Sequence, residues 1–223
     1  MDGNGRWAQA RGVPRLMGHR AGRDSVREVV RAANALGIGV LTLFAFSTEN
    51  WNRPKREVLA LMSILRQALL RERVELKEQN VRLQVMGRLD DLPRPVLDTI
   101  EAVQAYLSAS TGLLLNLALS YGGRVEIVDA VRRLMADPLA SSMRPQDVDE
   151  ALFGSYLSTA GLPDPDLLIR TSGEMRLSNF MLWQMAYTEL WVTPTLWPDF
   201  RRRHFFQAIG DYQDRERRFG RVD

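Results

Sequence analysis

The sequence predicts a single α/β domain over residues 1–223, with a central, mainly parallel β-sheet flanked by helices. Short apolar runs of strand character alternate with longer segments whose apolar residues recur at helical spacing. One run, 113–119, is apolar almost throughout, as a strand covered on both faces requires. No internal repeat, low-complexity tract or long linker divides the chain.

Met1-Asp2-Gly3-Asn4-Gly5-Arg6-Trp7 reads as a turn from a strand into a helix, so a strand is expected upstream of Asp2. Val26, Val29, Val30 and Ala33 mark a helix over 23–36, and Leu59, Met62, Leu65 and Leu69 one over 56–79. Further helices are expected over 94–108, 124–136, 147–159 and 199–216, the last capped by Asp199 after Pro198. The strands between them are Val40–Phe46, Val81–Met86, Leu113–Leu119, Leu167–Ile169 and Leu190–Val192.

Composition narrows the chemistry. Cysteine is absent, which excludes disulfides and thiolate metal sites and suits a reducing compartment. No apolar run is long enough to span a bilayer, so a soluble protein, peripheral to a membrane at most, is expected. Thirty Lys and Arg against 27 Asp and Glu leave +3, too balanced to argue for nucleic acid. Arginine dominates the cations, and its planar fork suits phosphate oxygens. With only His19 and His204, a histidine zinc site or a catalytic triad has little material, and no glycine-lysine phosphate loop is present.

Three polar segments carry chemistry. Gly3 and Gly5 let backbone approach an anion, Arg6 and Arg15 add charge, and Asp2 suits a magnesium ion bridging phosphates. Read alone, the same segment is equally a solvated surface turn. Ser47-Thr48-Glu49-Asn50-Trp51-Asn52-Arg53 follows a strong strand, the side of an open sheet where ligands bind. Ser47 and Asn50 can orient or relay a proton there. Arg170 and Arg176 flank a Ser-Gly turn with Ser178, either a second anion site or surface ion pairs. Glu189 is either a metal ligand or a satisfied core carboxylate. Asp90 and Asp91 lack the third aspartate of the trans-prenyltransferase motif and are assigned to a loop or helix start.

Together the segments resemble the cis-prenyltransferase family, especially its bacterial undecaprenyl diphosphate synthases. The matching stretches are DGNGRWA (2–8), GHRAG (18–22), FSTENWNRP (46–54), LNLALSYGGR (115–124), DLLIRTSGEMRLSNFMLWQMAYTEL (166–190), and WPDF and RERRFG near the end. The resemblance implies a homodimeric prenyl-transferring enzyme with an elongated apolar tunnel in each subunit, cytoplasmic or peripheral at the inner face of the membrane. It implies condensation of isopentenyl diphosphate onto an allylic diphosphate such as farnesyl diphosphate, with magnesium (Mg2+) as cofactor. The product would be a long Z-polyprenyl diphosphate of the undecaprenyl kind, a lipid-carrier precursor for cell-wall synthesis. Short-chain synthesis and irregular coupling on the same fold are the alternatives, and a non-catalytic partner subunit a remoter one.

By that resemblance Asp2 is the catalytic magnesium ligand and Glu189 the second. Gly3, Asn4, Gly5, Arg6, Arg15 and His19 form the allylic diphosphate site, with Trp7 beside it. Ser47, Thr48, Glu49, Asn50, Trp51 and Arg53 form the mobile catalytic segment, Asn50 at the position of proton removal. Arg170, Arg176, Leu177 and Ser178 bind isopentenyl diphosphate, and Arg218 and Gly220 reach the partner's site. Met175 stands where many relatives carry histidine.

Overall fold

The computed structural model describes residues 1–138 and 143–216. Its centre is β3 (Leu114–Tyr121), all eight residues of which are buried. β1 (Val40–Ser47) and β2 (Arg82–Met86) pair with β3 from either side, both parallel to it. The run that is apolar in the sequence is thus the strand with neighbours on both edges and helices on both faces. Its one internal amide, Asn116, is fully buried and donates to Thr42 Oγ1 at 3.4 Å and to Met86 Sδ at 3.2 Å.

β4 (Leu167–Arg170) and β5 (Glu189–Val192) form a second parallel pair. The expected parallel architecture is present, with the strands grouped as three and two. Among the described residues β1 pairs only with β3, and β4 only with β5. A cavity of about 1310 Å³ runs between these two strands and is lined by every residue of 40–47 and 166–170. Alternate residues would line a cavity on a strand's face, whereas consecutive ones mark its edge.

The helices are α1 (Asn4–Ala10), α2 (Arg15–Ala35), α3 (Lys55–Glu78), α4 (Arg94–Leu107), α5 (Gly123–Ala136), α6 (Glu150–Ser155) and α7 (Arg202–Gln213). α2 and α3 wall the cavity with Val26, Val29, Leu61, Leu65 and Leu69. Between the two helices Arg27, itself at the cavity lining, grips Glu72 with two bonds of 2.9 and 2.6 Å, and Arg31 meets Glu75 at 2.6 Å. α2 also crosses α1 at unusually short range. A Cβ on Gly18 would lie 2.0 Å from the Asn4 carbonyl oxygen, and one on Gly22 would lie 2.6 Å from Asn4 Oδ1. The glycines of GHRAG therefore permit the close seat that α1 needs beside the cavity mouth.

Three expectations need correcting. α2 begins at Arg15 rather than at 23, because polar Arg15 and His19 face the site and lie outside the apolar stripe. The helix expected over 147–159 is a short turn at Pro145–Asp147 followed by α6 alone. Asp199 does not cap α7: Trp197–Asp199 forms its own 3-10 turn and Arg201 is the cap, with its N–H donating to His204 Nδ1 at 3.0 Å. Asp199 instead accepts from the Trp7 indole N–H at 2.8 Å.

Candidate active site

Asp2 lies beyond the carboxyl end of β4. Its backbone N–H donates to Thr171 Oγ1 at 3.0 Å, and the same hydroxyl donates to the Asp2 carbonyl at 2.8 Å. The N–H of Trp197 donates to that carbonyl at 2.9 Å. Gly3 then turns the chain into α1 with a φ of 106°, a left-handed conformation, where a Cβ would also strike Leu196 at 2.9 Å. The turn directs the Asp2 carboxylate outward, with Oδ1 accepting from the Gly3 N–H at 2.7 Å.

Two arginines from separate predicted sites meet at that carboxylate. Arg6 Nη2 lies 3.4 Å from Asp2 Oδ2, and Arg170 Nη2 lies 3.3 Å from the same oxygen. Burial alone would push the Asp2 carboxyl up. The hydrogen bonds from Arg170 and the Gly3 N–H, with the charge of Arg6, outweigh it and hold the group below the usual carboxylate range. Arg170 also donates to Ser178 Oγ at 2.9 Å and to the Arg176 carbonyl. Glu174 pairs with Arg6 at 3.2 Å and with Arg176, so one carboxylate joins the two arginine sets.

The opposite wall comes from α2, α3 and the turn after β1. Glu57 holds Arg53 at 3.1 Å and Arg15 at 3.4 Å. His19 stands beside them; burial, then the charges of Arg53 and Arg15, lower its pKa to about 4, so the ring is neutral near pH 7. Its Nε2 is a buried nitrogen without a hydrogen-bond partner. Thr48–Asn52 forms a 3-10 turn closed by a capping box, in which Asn50 Oδ1 accepts from the Ser47 N–H at 3.2 Å. Glu49 accepts from Asn179 Nδ2 at 2.8 Å. Burial would raise the Glu49 carboxyl, but that bond and those from its own N–H, Ser47 and Thr48 hold it low.

The structure thus brings Asp2, Gly3, Asn4, Gly5, His19, Ser47, Glu49, Asn50, Arg53, Arg170, Arg176, Leu177 and Ser178 to the main cavity. Arg6 and Arg15 border a smaller adjoining hollow of about 400 Å³. Trp7 turns away, its indole bonded to Asp199 and its ring under the Arg11 guanidinium at 4.1 Å. Glu189 opens β5, opposite Leu167, whereas Arg170 pairs with Val192. Three steps of strand, about 10 Å, therefore separate Glu189 from the level of Arg170, and its Oε2 accepts from Arg215 at 2.6 Å. Among the described residues no three His, Asp or Glu side chains converge as a metal site. A lone ionised carboxylate beside arginines still fits magnesium, which often takes one or two protein carboxylates and completes its shell with phosphate oxygens and water. Met175 is 87% exposed and faces solvent. Arg218 and Gly220 lie outside the described residues.

Sequence reading missed Glu57 and Asn179. The spacing of Arg53 and Glu57, four apart at a helix start, was the available signal for the first. Asn179 gave none, because its role depends on a left-handed backbone (φ 62°) and on partners far along the chain.

Residues 1–220 match the family described as "Putative undecaprenyl diphosphate synthase". The chain is 54% identical over 222 residues to an isoprenyl transferase of Geobacillus kaustophilus, covering 100% of this chain and 86% of that protein. It is 53% identical to one of Heliobacterium mobile, covering 100% and 85%. Among solved structures, lavandulyl diphosphate synthase from Lavandula x intermedia in complex with dimethylallyl diphosphate superposes with a TM-score of 0.95 at 40% identity, over 99% of this chain and 95% of that one. A probable undecaprenyl diphosphate synthase from Campylobacter jejuni gives 0.79 at 33%, over 91% and 93%. The chain therefore belongs to the undecaprenyl diphosphate synthase family of cis-prenyltransferases and is an enzyme that transfers isoprenyl groups.

Proposed function

We propose that the enzyme extends an allylic diphosphate, farnesyl diphosphate, with isopentenyl diphosphate units to a long Z-polyprenyl diphosphate of the undecaprenyl kind. The observation that carries this reading is the meeting of Arg6 and Arg170 on Asp2 at the edge of a large apolar cavity. At about 1310 Å³ the cavity exceeds the roughly 300–1,000 Å³ of ordinary ligand pockets. Arg6, Arg15 and His19 would hold the allylic diphosphate; Arg170, Arg176 and Ser178 would hold isopentenyl diphosphate. Magnesium held at Asp2 would supply positive charge beside the leaving diphosphate.

In the condensation the allylic C–O bond breaks and its electrons leave with diphosphate. The isopentenyl double bond forms the new C–C bond, and a proton lost from the adjacent carbon leaves a Z double bond. The arginines stabilise the departing charge and fix both reactants within reach. Asn50, clamped by Ser47, orients the route by which the proton leaves to diphosphate or water. Each added unit strengthens retention by about 0.8 kcal/mol per buried CH₂, so product release slows as the chain grows.

A homodimer is part of the same reading. Val128, Val131 and Met135, one stripe of α5, together with Tyr187 and Leu190, are exposed apolar side chains that a second copy would cover. Release of a long polyprenyl product favours work at a membrane surface in the cytoplasm; no helix among the described residues is long and apolar enough to cross one. A second reading, irregular coupling of two dimethylallyl units, is favoured by the likeness to the lavandulyl enzyme. The test is incubation with labelled isopentenyl diphosphate, farnesyl diphosphate and magnesium, with a chelator arm and an arm given dimethylallyl diphosphate alone. Chelator-sensitive long Z-polyprenyl products support the first reading. Product from dimethylallyl diphosphate alone supports the second.

A further inference from the structure

We propose that Asp91, acting through Ser120, is a positioning residue that holds Trp51 and with it the turn Thr48–Asn52; its role in turnover rests on the functional reading above. Trp51 Nε1 donates to Ser120 Oγ at 2.8 Å, and Ser120 Oγ donates to Asp91 Oδ2 at 2.7 Å. An indole N–H can only donate and a serine hydroxyl has one proton. The order is therefore fixed: the carboxylate takes the hydroxyl proton, which turns a lone pair of Ser120 toward the indole.

The surroundings make this chain a tether rather than a chance contact. No residue of the turn Thr48–Asn52 is buried, and the pairing of β1 with β3 loses its register between Phe44 and Ser47. The ladder is irregular up to its last pair, Ser47 with Tyr121, and ends there, so the Trp51 side chain adds a hold on β3 within the turn itself. The indole also packs edge-on to Phe46 at 5.0 Å. Ser120 is 1% exposed and left-handed, with a φ of 45°, a conformation that a non-glycine residue adopts only when its surroundings impose it. The far end is equally held. The Arg88 N–H donates to the Ser120 carbonyl at 3.1 Å, and its guanidinium grips Asp129 of α5 at 2.7 and 2.9 Å. Asp91 itself is exposed and lies outside the cavity lining, so it acts only through Ser120.

The test uses the full chain labelled with ¹⁵N-tryptophan, which gives five indole signals, one of them assigned by its loss in Trp51→Phe. In Asp91→Ala the Trp51 indole proton should shift and exchange with solvent about tenfold faster, as loss of a hydrogen bond to a charged acceptor implies. Steady-state kcat/KM should fall by a similar factor, about tenfold, with an unchanged melting temperature. Asp91→Asn, whose side-chain oxygen still accepts from Ser120, should restore both. On a Trp51→Phe background Asp91→Ala should change nothing further in the affinity for farnesyl diphosphate, measured calorimetrically without turnover. An unmoved indole signal in Asp91→Ala overturns the tether, as does an equal loss of affinity when Asp91→Ala is made in the wild type and in Trp51→Phe. A shifted indole in a protein that transfers no prenyl group leaves the tether standing and sinks the functional reading instead.

Discussion

The guanidinium of Arg170 sits 3.3 Å from the carboxylate of Asp2, joining the end of β4 to the turn that opens α1. One is the predicted anchor of a diphosphate and the other the predicted ligand of a cation. Without substrate each neutralises the other, and the Arg170 side chain is largely shielded (14% exposed). On the proposed reading, binding of a magnesium diphosphate would exchange partners rather than bury new charge: the arginine would keep an anion and the carboxylate a cation. That exchange would limit the desolvation cost that buried ions otherwise carry.

Asp2→Ala should therefore lower kcat by about 10²–10³-fold, the range for loss of one preorganised electrostatic contact. Its fold should survive, since Asp2 is held through backbone groups to Thr171 and Trp197. Near-normal turnover at saturating magnesium would remove Asp2 from the chemistry.

Arg170→Ala should raise the isopentenyl diphosphate concentration at half-saturation by roughly tenfold or more, as expected for a charge-assisted bond. Lysine should not restore it, because Arg170 divides its fork between Asp2 and Ser178 and a point charge cannot. An unchanged concentration dependence in initial rates, with the allylic substrate saturating, would count against the assignment.

His19 makes stability depend on pH. Its folded pKa of about 4 lies below the ordinary 6.5, so between those values the unfolded chain binds the proton and the folded chain does not. The contribution is fully present above about pH 6.5, is lost as pH falls toward 4, and levels off below. For a shift of this size it amounts to roughly 2–4 kcal/mol. Urea unfolding at pH 7.5 and pH 5 should show a smaller drop for His19→Gln than for the wild type. Parallel drops would mean that the ring is already solvated.

Asn179 should prove as important as the residues on either side of it. It accepts from the Arg124 N–H at 2.8 Å through its side chain and from the Gly123 N–H at 2.6 Å through its carbonyl, while its amide holds Glu49. Asn179→Ala removes the Glu49 and Arg124 bonds and should lower stability by about 1–3 kcal/mol and turnover by more than tenfold. Asn179→Asp, which keeps an acceptor for the Arg124 N–H but sets a carboxylate against Glu49, should recover stability and not turnover. Equal recovery of both by Asp would mean that the contact with Glu49 does not matter.

The parts of this architecture that depend on period and composition were legible in the sequence. β3 announced itself by an apolar run, and α3 by its repeat of leucines. Direction was not legible. Arg6 and Trp7 are neighbours in one motif, but successive helix residues point about 100° apart, so one meets Asp2 and the other meets Asp199. Asp91 looked like a helix-start residue and lies in a short turn before α4, as expected. Its bond to Ser120 needed a strand 29 residues later to be set in place.

The cavity makes a prediction about product length that does not depend on the arginines. Ala45 lies on β1 and lines the cavity, as do Leu65 and Leu69 of α3 and Leu117 of β3. Leu59, by contrast, is 63% exposed and does not line it. On the proposed reading small Ala45 would leave depth for the growing chain, and Ala45→Leu should fill it. The initial condensation should continue, since Ala45 is not among the residues assigned to either diphosphate site, while the longest products disappear in favour of chains shorter by several units. Mild detergent should speed wild-type turnover by drawing out the long product, and do so much less for Ala45→Leu, whose shorter product buries fewer CH₂ groups at about 0.8 kcal/mol each. Chromatography of radiolabelled polyprenols from both enzymes, with and without detergent, checks this. An unchanged product ladder in Ala45→Leu would place the growing chain elsewhere than along β1.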